Sequence, residues 1–161
     1  MRVAIIGQGY VGLTIAVGAA GAGHSVVGFD VNPALVDQLN AGKSHIEGIT
    51  DTDLGSFIAS GSYAASADAT VLDGCDVIVI AVPTPLTKDR KPDLSFVEAA
   101  CKTIGENIKK PVLVINESTS FPGTLRNYIK PAIEKYSKNV VEHLYAISPE
   151  RVDPGRGDFN Q

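Results

Sequence analysis

Gly7-Gln8-Gly9-Tyr10-Val11-Gly12 follows the β-branched run Val3-Ala4-Ile5-Ile6, and a carboxylate, Asp30, closes a second apolar run 18 residues after Gly12. Each glycine has a separate task in such a turn. Gly7 lets a strand reverse sharply, Gly9 removes a side chain where a pyrophosphate must approach, and Gly12 lets a helix pack closely on the strand. The helix opening there presents free N–H groups and a positive dipole end to phosphates. Asp30 is placed to accept hydrogen bonds from the adenosine ribose hydroxyls and to repel a 2′-phosphate, which favours NAD over NADP. Gly-rich turns also occur in α/β domains that bind no nucleotide. The strand before, the helix after and the carboxylate ending the second strand select the dinucleotide reading.

Three further clusters carry polar chemistry. Ala81-Val82-Pro83-Thr84-Pro85 ends an apolar run. Its prolines stiffen the exit and Thr84 offers a hydroxyl, although a rigid strand exit with no ligand role has the same composition. In Glu117-Ser118-Thr119-Ser120-Phe121-Pro122-Gly123-Thr124 the hydroxyls either serve a ligand or cap a helix, with Ser120 as the cap and Pro122 in the first turn. Ser148-Pro149-Glu150-Arg151-Val152-Asp153-Pro154-Gly155 brings two carboxylates and a guanidinium together. Glu150 there is a candidate general base, against a solvated loop in which Arg151 merely pairs with Asp153.

The elements that must position these clusters alternate. Strands are expected at Arg2–Ile6, Ser25–Asp30, Val77–Val82, Pro111–Asn116 and Leu144–Ile147, with a weaker one near Ser62–Ala65. The strong ones are continuous Val/Ile runs, as in a parallel sheet buried on both faces. Helices are expected at Val11–Gly21, Pro33–Asn40, Asp51–Ala59, Leu94–Ile108 and Pro122–Lys135. Asn32 and Asp93 are candidate N-caps, and Gly42 and Gly61 stand at helix ends. The fold class is therefore α/β, a doubly wound, mainly parallel, Rossmann-like sheet in a three-layer α/β/α arrangement. The clusters then fall at the carboxyl ends of strands, where open α/β sheets bind ligands.

Bulk properties bound the alternatives. At 161 residues the chain is one domain with a real core, and its net charge of −4 argues against a nucleic-acid surface. No run reaches the length of a membrane span, and no leader segment is visible before Val3. Cys75 and Cys101 make no disulfide framework; they fit packing positions in a reducing, cytoplasmic setting. His24, His45 and His143 fall outside the motifs and read as surface or element-end residues. Lys88-Asp89-Arg90-Lys91 reads as a solvated loop tip whose charge could also touch a nucleotide-sugar phosphate. No group of residues has metal-ligand spacing, so no metal is expected. Residues 153–161 read as a connection with no further element, so the sequence predicts a chain cut from a longer one.

Gly7-x-Gly9-Tyr10-Val11-Gly12, Val82-Pro83-Thr84-Pro85, Ser118-Thr119-x-x-Pro122-Gly123-Thr124 and Ser148-Pro149-Glu150, in this order, resemble the N-terminal domain of the UDP-glucose/GDP-mannose dehydrogenase family across the whole chain. The Ser-Pro-Glu-Arg-Val-Asp-Pro-Gly form is similar to members that oxidise UDP-N-acetylglucosamine or UDP-N-acetylmannosamine. Members acting on UDP-glucose more often carry a Phe-Leu-Arg-Glu-like segment there. The resemblance implies oxidation of the sugar C6 alcohol to a carboxylate in two NAD-dependent steps. By position it implies that Gly7, Gly9, Tyr10, Val11, Gly12, Asp30, Thr84 and Thr119 hold NAD. It implies that Thr119 anchors an active-site water, that Glu150 is the acid/base, and that Glu150, Arg151, Val152 and Asp153 meet a UDP-sugar. It also implies a homodimer or larger assembly of the complete protein, with central helical and C-terminal substrate-binding domains that this sequence lacks. The family's nucleophilic Cys and its Lys and Asn partners belong to those later segments, and neither Cys75 nor Cys101 matches that position. Two alternatives stay open: a hydroxyacid dehydrogenase of the 6-phosphogluconate type, and a non-catalytic NAD-binding module.

Overall fold

Valine and isoleucine dominate the strand runs, and each run splits its side chains between two faces. In a computed structural model describing residues 1–137 and 142–148, β1 (Arg2–Ile6) sends Ala4 and Ile6 into one apolar cluster and Val3 and Ile5 into another. The remaining strands are β2 (Ser25–Phe29), β3 (Tyr63–Ser66), β4 (Val77–Ile80), β5 (Leu113–Asn116) and β6 (Leu144–Ile147). They form one sheet of order β3-β2-β1-β4-β5-β6, and every pairing is parallel. The order reverses between β1 and β4, which is where sheets of this kind take a ligand.

Helices α1 (Tyr10–Gly21), α2 (Pro33–Asn40) and α3 (Asp51–Ala59) contribute Leu13, Ala16, Leu39 and Leu54 to one cluster. Helices α4 (Ser95–Asn107) and α5 (Lys130–Tyr136), with a 3₁₀ turn at Ala69–Leu72, contribute Val97, Cys101, Ile104, Ile133 and Leu72 to the other. This is the expected three-layer arrangement.

Local chemistry explains the boundaries. Asn32 Oδ1 accepts from the Ala34 and Leu35 N–H groups at 3.1 and 3.4 Å, so it caps α2 as expected. Asp93 is not the N-cap of α4: the helix begins at Ser95 with Leu94 at the cap position, and Asp93, one residue earlier, accepts from Ser95 N through Oδ1 at 2.9 Å. Gly42 and Gly61 adopt φ of +72° and +71° just past α2 and α3. Strand β5 begins two residues later than predicted because Pro111 has no N–H and the Val112 N–H turns to His143 Nδ1 at 3.4 Å.

Three further expectations are corrected. The last helix does not begin at Pro122. Residues 121–124 form a turn with Gly123 at φ +91°, a π-helical turn spans Leu125–Ile129, and regular α-helix starts only at Lys130. Pro131 supplies the reason: it lacks an N–H and its ring crowds the carbonyl four residues earlier, so the preceding turn widens. Ser120 caps no helix; its hydroxyl oxygen accepts from Asn116 Nδ2 at 3.3 Å. His143 does stand at an element end, just before β6, but it is buried, not a surface residue.

Candidate functional site

A cavity of about 560 Å³ opens at the carboxyl edge of the sheet, where β1, β2, β4 and β5 end. That volume is in the range of small-molecule sites. Gly7, Gly9, Tyr10, Val11, Asp30, Thr84 and Thr119 all line it.

The glycine turn is over-determined by contacts. Gly7 adopts φ +90°, its N–H donates to the Phe29 carbonyl at 2.8 Å, and a Cβ there would lie 2.6 Å from the Ala81 carbonyl oxygen. A Cβ on Gly12 would collide with the Gly7 carbonyl, so Gly12 shapes the turn from behind. Gly9 is different: beyond its own chain neighbours, no atom lies within 4 Å of where its Cβ would stand. The space above it is free. The first main-chain bond of α1 runs from Leu13 N to Gly9 O, so the N–H groups of residues 10–12 precede the helical ladder.

Asp30 leaves the end of β2 with its carboxylate already oriented. Oδ2 accepts from the Gln8 N–H at 2.8 Å and Oδ1 from the Asn32 N–H at 2.9 Å. A carboxylate has about four lone-pair sites, so acceptor capacity remains for ribose hydroxyls. Gln8, the unassigned position inside the glycine motif, is wholly buried. Its Nε2 donates to the carbonyls of Ile5 and Gly7 at 3.0 and 3.1 Å, and its Oε1 accepts from Tyr63 Oη at 2.8 Å. Burial and the neighbouring Asp30 charge push the Tyr63 phenol well above its ordinary range, so it stays a neutral donor.

The far wall is made by the exits of β4 and β5. Beyond Ile80, Val82 is held by the Ser118 side chain, which accepts from the Val82 N–H at 3.0 Å and donates to its carbonyl at 2.8 Å. Asn116 Nδ2 donates to the Ser118 carbonyl at 2.9 Å and to Ser120 Oγ, straddling Thr119, which is exposed to the cavity. Phe96, Ala99, Ala100 and Thr103 add one face of α4 to the wall. The sequence signal for that face was present: four small or apolar residues at helical spacing. Gln8 and Ser118 had no such signal, since their roles depend on partners from distant segments, whereas Asn116 turns back on its own loop, to Ser118 and Ser120.

Glu150, Arg151, Val152 and Asp153 lie outside the described residues. Cys75 and Cys101 are buried away from the cavity lining; burial, with the Glu98 charge nearby, pushes the Cys101 thiol up to about 12. Among the described residues no cluster of His, Cys, Asp and Glu could hold a metal, and no helix is long and apolar enough to cross a membrane.

The model of the UDP-glucose/GDP-mannose dehydrogenase family, NAD binding domain, matches residues 1–158. The chain belongs to this family. Protein CapL of Staphylococcus aureus is 37% identical over 96% of the chain and 36% of its own length. UDP-N-acetyl-D-mannosamine dehydrogenase of Pyrococcus horikoshii is 37% identical over 97% of the chain and 38% of its own length. The structure of a UDP-glucose dehydrogenase from Pyrobaculum islandicum superimposes with a TM-score of 0.90 at 35% identity, over 96% of this chain and 37% of that one. The chain thus spans little more than a third of these relatives.

The family's cofactor, NAD, fits the residues present. The gap over Gly9 is one that a Cβ would fill, it stands at the N-terminus of α1, and a pre-oriented carboxylate flanks it.

Proposed function

We propose that this chain is the NAD-binding half of a UDP-sugar 6-dehydrogenase whose substrate is a UDP-N-acetylhexosamine. The observation that carries this reading is the reach of one cavity from Asp30, past the open space at Gly9, to Thr119. Such a site takes an extended dinucleotide with its adenosine end at Asp30 and its reactive end toward the β5 exit. When bound, NAD accepts hydride from the sugar C6 in each of two oxidations. Asp30 binds the adenosine ribose. The first-turn N–H groups of α1 hold the pyrophosphate over Gly9, with Gly7 and Gly12 shaping the turn and Tyr10 and Val11 bordering it. Thr84 and Thr119 border the reactive end, where Thr119 anchors a water.

Glu150 serves as acid/base, and Arg151, Val152 and Asp153 meet the sugar. The Ser-Pro-Glu-Arg-Val-Asp-Pro-Gly form and the relatives named for N-acetylhexosamine dehydrogenation support this choice of sugar. The thiol for the second oxidation and the rest of the UDP-sugar site come from segments beyond this sequence. The complete enzyme works in the cytoplasm as a homodimer or larger assembly.

Calorimetric titration of the chain with NAD, NADP and a UDP-N-acetylhexosamine tests the first part. NAD should bind well ahead of NADP, with little heat from the sugar nucleotide; no binding of NAD would sink the reading. Assaying NAD reduction by the complete protein across UDP-sugars and simple hydroxyacids tests the second part.

A further inference from the structure

Beneath the glycine turn lies a buried polar pair that the sheet itself does not require. Gln8 comes from the turn after β1, and Tyr63 from β3, 55 residues later and beyond β2. Both are essentially inaccessible, at 0% and 1% exposure, amid apolar neighbours such as Ile5 and Leu13. The room for them is made by Gly28 in the middle of β2. A Cβ at Gly28 would collide with Gln8 Oε1 and stand 2.7 Å from Tyr63 Oη. One hydrogen bond therefore joins the turn after β1 to β3, across the gap that Gly28 leaves in β2.

Its consequence reaches the cavity through Gln8. The side chain of Gln8 is anchored at both ends, by Tyr63 on one side and by the Ile5 and Gly7 carbonyls on the other. The main-chain N–H of the same residue donates to Asp30 Oδ2 at 2.8 Å. Any shift of Gln8 thus moves a donor that orients the carboxylate.

We propose that Tyr63, acting through Gln8, is a positioning residue that sets the Asp30 carboxylate for the ribose hydroxyls and so determines the preference for NAD over NADP. The proposal rests on the reading of Asp30 given above. Without the Tyr63 hydroxyl, Gln8 Oε1 is left buried without a donor. The Gln8 side chain then no longer pins the main chain of the glycine turn from that side, and the N–H that meets Asp30 belongs to that main chain. A charge-bearing contact misplaced by a fraction of an ångström loses the geometry that ribose recognition needs, while repulsion of a 2′-phosphate, which acts over longer distances, weakens less.

The test is the ratio of NADP to NAD dissociation constants, measured by calorimetry on the chain and on Tyr63→Phe, with Asp30→Ala alongside. Tyr63→Phe should weaken NAD roughly five- to tenfold, the size expected for a disturbed polar contact, and NADP much less, so that the ratio narrows. Gln8→Met, which keeps length and removes the acceptor, should narrow it in the same way and serves if Tyr63→Phe does not fold. A melting temperature measured in parallel isolates a purely structural role: a lower melting point with an unchanged ratio overturns the proposal. If Asp30→Ala narrows the ratio and neither Tyr63→Phe nor Gln8→Met does, the proposal falls and the Asp30 reading stands. If Asp30→Ala leaves the ratio alone, or the unaltered chain binds no NAD, both fall.

Discussion

The Ser118 hydroxyl holds both main-chain polar groups of Val82, accepting from its N–H at 3.0 Å and donating to its carbonyl at 2.8 Å. The last β4–β5 ladder pair is Ile80 with Asn116. One side chain therefore continues the sheet beyond its strands and ties Val82-Pro83-Thr84 to the loop that carries Thr119.

Ser118→Ala removes that tie and leaves two main-chain groups of Val82 without their partner. The expected loss is about 1–3 kcal/mol of stability, measured as a lower urea midpoint at an unchanged slope. A midpoint equal to that of the parent chain would mean that Val82 finds other partners.

Gly9 and Gly12 should separate folding from binding. A methyl at Gly9 meets nothing beyond its own chain neighbours, so Gly9→Ala should melt close to the parent temperature while binding NAD at least tenfold more weakly, about 1.4 kcal/mol. A methyl at Gly12 collides with the Gly7 carbonyl, so Gly12→Ala should lower the melting temperature itself. Equal melting curves for the two variants would contradict this assignment.

Much of this was legible from the chain. Continuous Val/Ile runs announced strands buried on both faces, and glycine spacing with Asp30 located the turn and its cavity. What was not legible shares one cause: it depends on partners distant in sequence. Gln8 looks like a free position until Tyr63 and Gly28 arrive from two other strands. Ser118 looks like one hydroxyl among several until β4 ends beside it. Pro131 is the exception, because its effect is local. A proline near the end of a predicted helix signals a loosened turn before it, and the π-helical turn at Leu125–Ile129 is that signal realised.

His143 gives the chain a pH response. Burial holds its imidazole below the ordinary value of 6.5, against an opposing pull from Glu134, and its Nδ1 must stay unprotonated to accept from the Val112 N–H. Below pH 6.5 the unfolded chain takes up a proton that the folded chain refuses. Stability from this group therefore falls as the pH drops through 6.5, and levels off below the folded-state value. Urea midpoints measured from pH 7.5 to 5 should slide downward in the parent and flatten in His143→Gln. Asp73 and Asp76, held below the ordinary carboxylate value of 3.8 by hydrogen bonds to Lys109 and to the Arg2 N–H, act only at lower pH. A midpoint that rises on acidification would refute the sign.

Cys75 and Cys101 should be silent towards thiol reagents in the native state. Both are inaccessible, and burial raises both thiols. Maleimide labelling at pH 8, followed by mass spectrometry, should show neither modified until denaturant is added. Prompt labelling of Cys101 would mean that α4 separates from the sheet far more readily than its packing implies.

An all-parallel sheet has no hairpins, so every pairing must wait for a crossover to close. The unit from β1 through α1 to β2 closes over a short span, with Val3 opposite Val26, and it contains the entire glycine turn. Strand β4 must find β1 from much farther along the chain, as the 74-residue separation between Arg2 and Asp76 records. Chain closure costs more entropy with such separation, so the β1–β4 pairing carries a larger closure cost than β1–β2. The cavity lies over that junction. A dinucleotide seated there spans the half of the sheet joined by short crossovers and the half joined by the long one, and its binding energy opposes their parting.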